Sequence, residues 1–159
     1  MPGSAIQDKN LRGNQHAPFP DYLGATGIGV SDLAKSVDFY TRVLGMKQVQ
    51  TFKLDYMDEV VVAFEGRTAV VLMHYTDGSE RNYKDNPVKL VFYVTDPKAV
   101  SDRIKAEGLT IIREPAPIAS LGGAMVGLAK DPDGYTIELL QAPPAKTETQ
   151  PAAAAITGA

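Results

Sequence analysis

The chain has 159 residues, 44% of them hydrophobic and 22% charged, the make-up of an ordinary folded domain rather than of a disordered chain. It has no cysteine, which excludes thiolate nucleophiles, Cys-ligated zinc, iron–sulfur clusters and a disulfide framework together. Sixteen Lys and Arg against nineteen Asp and Glu give a net charge of -3, so nucleic acid is not an expected partner.

Residues 1–23 are polar, carry Pro18 and Pro20, and show no helical or strand period, which predicts a flexible arm. They hold no apolar stretch of the secretory kind, so the expected address is the cytoplasm. No run approaches the ~20 apolar residues that span a bilayer, so no membrane partner is expected. From residue 143 onward, Pro-Pro-Ala-Lys-Thr-Glu-Thr-Gln-Pro and four alanines predict a disordered tail. The ordered segment is residues 24–142.

Ala25 to Val30, short and glycine-bearing, reads as a strand closely approached by another group. A helix follows, capped by Ser31 or Asp32, with Leu33, Val37, Tyr40 and Leu44 on one face and Gly45 as its left-handed stop. Three strands come next, near Lys47–Leu54, Glu59–Phe64 and Thr68–Tyr75. After a polar linker at 77–87 the order recurs: a strand at Lys89–Val94, a helix capped by Asp96 with Pro97 in its first turn and Gly108 at its end, then three strands. The last, Tyr135–Gln141, follows the turn Asp131-Pro132-Asp133-Gly134. Pro115–Gly123 reads as a flap.

The halves match in residues as well as in order. Val30-Ser31-Asp32-Leu33 answers Val94-Thr95-Asp96-Pro97 at an offset of about 64, and Val71-Leu72-Met73 answers Ile137-Glu138-Leu139 at about 66. This predicts an α+β fold of two βαβββ modules, residues 24–76 and 88–142, whose curved mixed sheets surround a cavity.

Three stretches carry a family resemblance: Val-Ser-Asp-Leu-Ala-Lys-Ser-Val-Asp-Phe-Tyr-Thr-Arg-Val-Leu-Gly-Met from Val30, Arg-Thr-Ala-Val-Val-Leu from Arg67, and Lys-Asp-Pro-Asp-Gly-Tyr-Thr-Ile-Glu-Leu from Lys130. Together the segment resembles the vicinal oxygen chelate superfamily, in its glyoxalase I and bleomycin-resistance branch. The resemblance implies paired βαβββ modules, a small-molecule ligand or substrate, and a homodimer. It also implies a divalent metal held by four side chains, one from the first and one from the last strand of each module.

The resemblance places those four positions at Ala25, Leu72, Lys89 and Glu138. Only Glu138 is a metal ligand as it stands: alanine and leucine have no donor atom, and an ammonium repels the cation. No metal and no other cofactor is therefore expected. His16 falls in the arm, and His74 follows Leu72 on the same strand face, within reach of a cavity rim as acid or base.

Lys89 and Glu138 belong to one module and are expected to pair, with glutamate as general acid or base and lysine as partner to an oxyanion. A purely charge-neutralising pair in a binding pocket is the competing reading. Glyoxalase I proper is implied to need an arginine at the place of Gly29, which makes lactoylglutathione lyase activity unexpected. Ala25, Gly29, Leu72, Val91 and Tyr93 are the expected substrate-binding residues, an apolar lining suited to an aromatic or similarly sized compound. Arg81, Tyr83 and Lys84 of the linker are candidates to close over it. The expectation is thus a metal-independent lyase or isomerase using Glu138, with Lys89 and His74 beside it. A sequestering protein of the bleomycin-resistance type is the alternative.

Overall fold

The computed structural model describes residues 23–84 and 86–142. The expected arm, save Leu23, the expected tail and His16 lie outside the described residues. The chain divides into two compact units. The first runs to Pro87 and takes in Asp131–Tyr135; the second is Val88–Lys130 with Thr136 onward.

The first unit holds β1 (Ala25–Gly29), α1 (Leu33–Asp38), β2 (Lys47–Lys53), β3 (Met57–Ala63) and β4 (Ala69–Tyr75). Its sheet has the order β1-β4-β3-β2, with β1 parallel to β4 and the other pairs antiparallel. Asp32 caps α1 by accepting from the backbone N–H of Lys35, as the sequence predicts. The predicted helical face is displaced, however. The helix passes at Phe39–Val43 into a π-helical turn, which adds a residue to the period, and the buried side chains become Ser36, Phe39, Tyr40, Val43 and Leu44. Gly45 ends it at φ +80°, a conformation that favours glycine. These side chains bury one sheet face, formed by Ile28, Val60, Val62, Val70 and Leu72, against α1 and its continuation.

The second unit holds β5 (Lys89–Val94), α2 (Pro97–Ala106), β6 (Ile111–Ile118), β7 (Ala124–Lys130) and β8 (Thr136–Gln141). Its order, β5-β8-β7-β6, repeats the first topology. Asp96 caps α2 through the N–H of Ala99, and Pro97 occupies the first turn, where its missing N–H costs nothing. Val100, Ser101 and Ile104 of α2 and Leu90, Phe92, Ile137 and Leu139 of the sheet form the core. The stretch read as a flap is regular structure: β6 runs to Ile118 and a single 3-10 turn, Ala119–Leu121, leads toward β7. Its prolines fit because β6 is an edge strand with an irregular register between Arg113 and Ala116.

Candidate functional site

Strand alternation sorts each sheet into a face packed by its helix and an open face. In the second unit, Lys89, Val91 and Tyr93 lie on the open face of β5, with Glu138 level with Val91 on β8. Val91 is 44% and Tyr93 68% exposed, so an apolar and aromatic surface surrounds the charged pair. Lys89 Nζ donates to Glu138 Oε2 at 2.5 Å; the lysine side chain is 53% exposed and the glutamate 15%. The carboxylate is sheltered while its cationic partner keeps access to solvent. A pair this exposed contributes at most about 1 kcal/mol to stability.

In the first unit the open face of β1 carries Ala25, Gly27 and Gly29. Leu72 is not on that face. It is fully buried opposite Ile28 and Val60, against the helix, and so corrects the expectation that it lines a substrate site. The slip is one residue. Ala25 pairs with Ala69 and Lys89 with Thr136, so β1 and β5 are offset by 64 residues but β4 and β8 by 67. The residue answering Glu138 is therefore Val71. His74 shares the Leu72 face, and its Nδ1 lies 2.9 Å from the Val30 carbonyl oxygen, which ties the ring to the backbone rather than to the open face. The expectation of a rim acid or base is corrected accordingly.

The family's metal does not fit these residues. Ala25 and Val71 supply no donor in the first unit, and in the second Glu138 is engaged by an ammonium. Among the described residues, no three His, Cys, Asp or Glu side chains gather in a way that could hold a metal ion.

Another polar cluster of the first unit is one that sequence reasoning took only as a turn. Asp131 and Asp133 are buried. Asp131 accepts from the Tyr40 hydroxyl at 2.9 Å and from the backbone N–H groups of Asp133 and Tyr135 at 3.0 and 2.8 Å. Asp133 accepts from the Ser31 N–H at 3.2 Å and from the Ser31 hydroxyl at 2.5 Å. Burial raises the Asp131 carboxyl above the usual carboxylate range, and burial beside that carboxylate lifts the Tyr40 phenol well above its ordinary value. Among the described residues no buried side-chain polar atom lacks a partner, so this is a satisfied structural network. A signal for it was present in Tyr40, a phenol on an otherwise apolar helix face that needs an acceptor.

Residues 22–139 match the model of the Glyoxalase/Bleomycin resistance protein/Dioxygenase superfamily. The chain belongs to this superfamily. A Vibrio cholerae protein named a probable lactoylglutathione lyase is 37% identical over 123 residues, which cover 73% of this chain and 87% of the relative. The solved structure of a trypanothione-dependent glyoxalase I from Leishmania major aligns with a TM-score of 0.64 at 26% identity, covering 76% of this chain and 86% of that one. Glyoxalase I from Zea mays aligns at 0.66 and 26% identity over 75% of this chain, but this chain spans only 44% of the maize one. The two four-stranded mixed sheets are those of the glyoxalase fold.

Proposed function

We propose that this glyoxalase-family chain is a metal-independent small-molecule enzyme of lyase or isomerase type, acting on an apolar or aromatic carbonyl compound. The observation that carries the reading is the Lys89–Glu138 pair, set at 2.5 Å on an exposed face with Val91 and Tyr93. The relatives named as lyases support the reaction class. Glu138 takes a proton from the carbon next to the carbonyl, the C–H electron pair becomes the new C=C bond while the C=O π pair moves onto oxygen, and Lys89 stabilises the resulting enolate oxygen. Glu138 then returns the proton to the neighbouring atom. Lysine does here what a metal would do in a chelating relative, as a single positive charge.

Exchange of the substrate's α-hydrogen with deuterium oxide, followed by NMR across a panel of aryl ketones and aryl hydroxyketones, tests this. The parent exchanges at least one member, and Glu138→Gln loses exchange while Lys89→Met slows it. Exchange unaffected in Glu138→Gln overturns the catalytic role.

The closed pair also favours a second reading, because a carboxylate already satisfied by an ammonium needs no substrate proton. In that case the face sequesters its ligand, and binding without exchange in the parent is the outcome that selects it. The reading includes a homodimer, as family resemblance implies, and a cytoplasmic address, expected because the first residues hold no apolar stretch of the secretory kind. Among the described residues no helix is long and apolar enough to cross a membrane. Sedimentation equilibrium of the full chain tests the dimer.

A further inference from the structure

In the second unit, two lysines flank one threonine. Lys89 of β5 and Lys130 of β7 both stand opposite Thr136 of β8, one on each side of it. Glu138 follows Thr136 by two residues on the same face, so it is the diagonal neighbour of both lysines. A side chain as long as lysine spans that diagonal, and Lys89 does so to reach Glu138 Oε2 at 2.5 Å. Lys130 does not. Its Nζ donates instead to the Thr136 hydroxyl oxygen at 3.1 Å, and among the described residues it forms no ion pair. Glu138 Oε1, equally, has no hydrogen-bond partner among the described residues. A half-buried ammonium held only by a hydroxyl thus stands one diagonal from an open carboxylate oxygen, and Glu138 is the only acidic residue on β5, β7 or β8.

We propose that Thr136 is a positioning residue for Glu138, holding Lys130 off the carboxylate so that Lys89 remains its single cationic partner. The inference rests on the proton-transfer role proposed for Glu138 and adds the residue that sets the charge around it. An opposite charge favours the ionised form of a carboxylate, so a second ammonium on Glu138 makes it a weaker proton acceptor. One ammonium can turn to the substrate's carbonyl oxygen and leave the carboxylate free to act; with two, the second stays. Loss of the Thr136 hydroxyl moves Lys130, because a partly buried ammonium without an acceptor is costly and Glu138 offers a vacant oxygen. Arg113, opposite Leu128 on β6, is a further cation but lies two strands from Glu138.

Thr136→Val keeps the branched shape and removes the hydroxyl. Its crystal structure is expected to show Lys130 Nζ bonded to Glu138. Nζ left in solvent or on another group overturns the proposal, and this readout needs no substrate. In the deuterium-exchange assay, Thr136→Val is expected to lose about tenfold or more, and Thr136→Ser, which keeps the hydroxyl, to exchange like the parent. Adding Lys130→Met to Thr136→Val is expected to restore exchange, which would not repair a merely structural defect. Unchanged exchange in Thr136→Val, or a loss that Lys130→Met does not restore, overturns the inference while Glu138→Gln still abolishes exchange. Exchange absent from the parent, or retained by Glu138→Gln, overturns the catalytic reading instead, and the position of Lys130 in the Thr136→Val crystal then decides the inference by itself.

Discussion

The Tyr40 hydroxyl donates to the Asp131 carboxylate across 91 residues of sequence, and both side chains are buried. The turn between β7 and β8 is thereby part of the first unit rather than the second. Three bonds converge on the Asp131 carboxylate and hold this short turn, whose Tyr135 ring is buried as well.

Tyr40→Phe keeps the ring packing and removes one of those donors. It is expected to cost about 1–3 kcal/mol, the penalty of leaving a buried carboxylate short of a partner. Asp131→Ala strands two backbone N–H groups as well and is expected to cost more than Tyr40→Phe. Urea unfolding of the three proteins checks the order.

The same pair sets an alkaline limit. The folded-state pKa of Tyr40 lies above the unfolded value of about 10, so the folded chain holds the phenolic proton more tightly. Its contribution is full below about pH 10 and is lost as pH rises toward the raised folded value. The urea midpoint of the parent is expected to fall above pH 10 and that of Tyr40→Phe to fall less. Asp131 has the same sign in acid: its raised folded pKa favours the fold below about pH 4, and that benefit fades as pH rises through the folded value.

Leu72 and Val71 separate the two faces of β4. Leu72→Ala opens a hole in a fully buried site and is expected to cost about 2–5 kcal/mol, whereas Val71→Ala on the open face costs distinctly less. Similar losses for both would reverse the strand register given above.

Gly127 of β7 is a packing glycine. A Cβ there would meet Pro115 Cγ at 2.8 Å and Cδ at 3.2 Å, and a proline ring has little freedom to retreat. Gly127→Ala is expected to destabilise by about 1–3 kcal/mol, measured by thermal or urea unfolding.

Lys89→Met and Glu138→Gln should each change stability by under about 1 kcal/mol because the pair is partly solvated. Metal analysis of the purified parent is expected to find no stoichiometric zinc, nickel, iron or manganese. Stoichiometric metal would contradict the reading of the donor set.

Much of the fold was legible because its signals are local. Asp32 and Asp96 cap their helices, Gly45 and Gly108 adopt positive φ at the helix ends, and the strand at Lys89–Val94 has the bounds its alternation predicts. The meeting of Lys89 with Glu138 was also readable, because the duplicated pattern puts both on one face of neighbouring strands. The β4 register was not. Val70, Val71 and Leu72 are all apolar, so alternation gives no phase, and only the pairing with β1 and β3 decides which of them points to the helix. The π-helical turn at Phe39–Val43 escaped for a related reason: one inserted residue rotates the buried face without changing composition. Residue chemistry alone determined that Ala25 and Lys89 do not supply metal donors. Tertiary structure alone decided that Tyr83 covers Gly29 and that Asp131 completes Tyr40, because each contact joins residues far apart in the chain, and no local preference encodes which distant partner fills a given space.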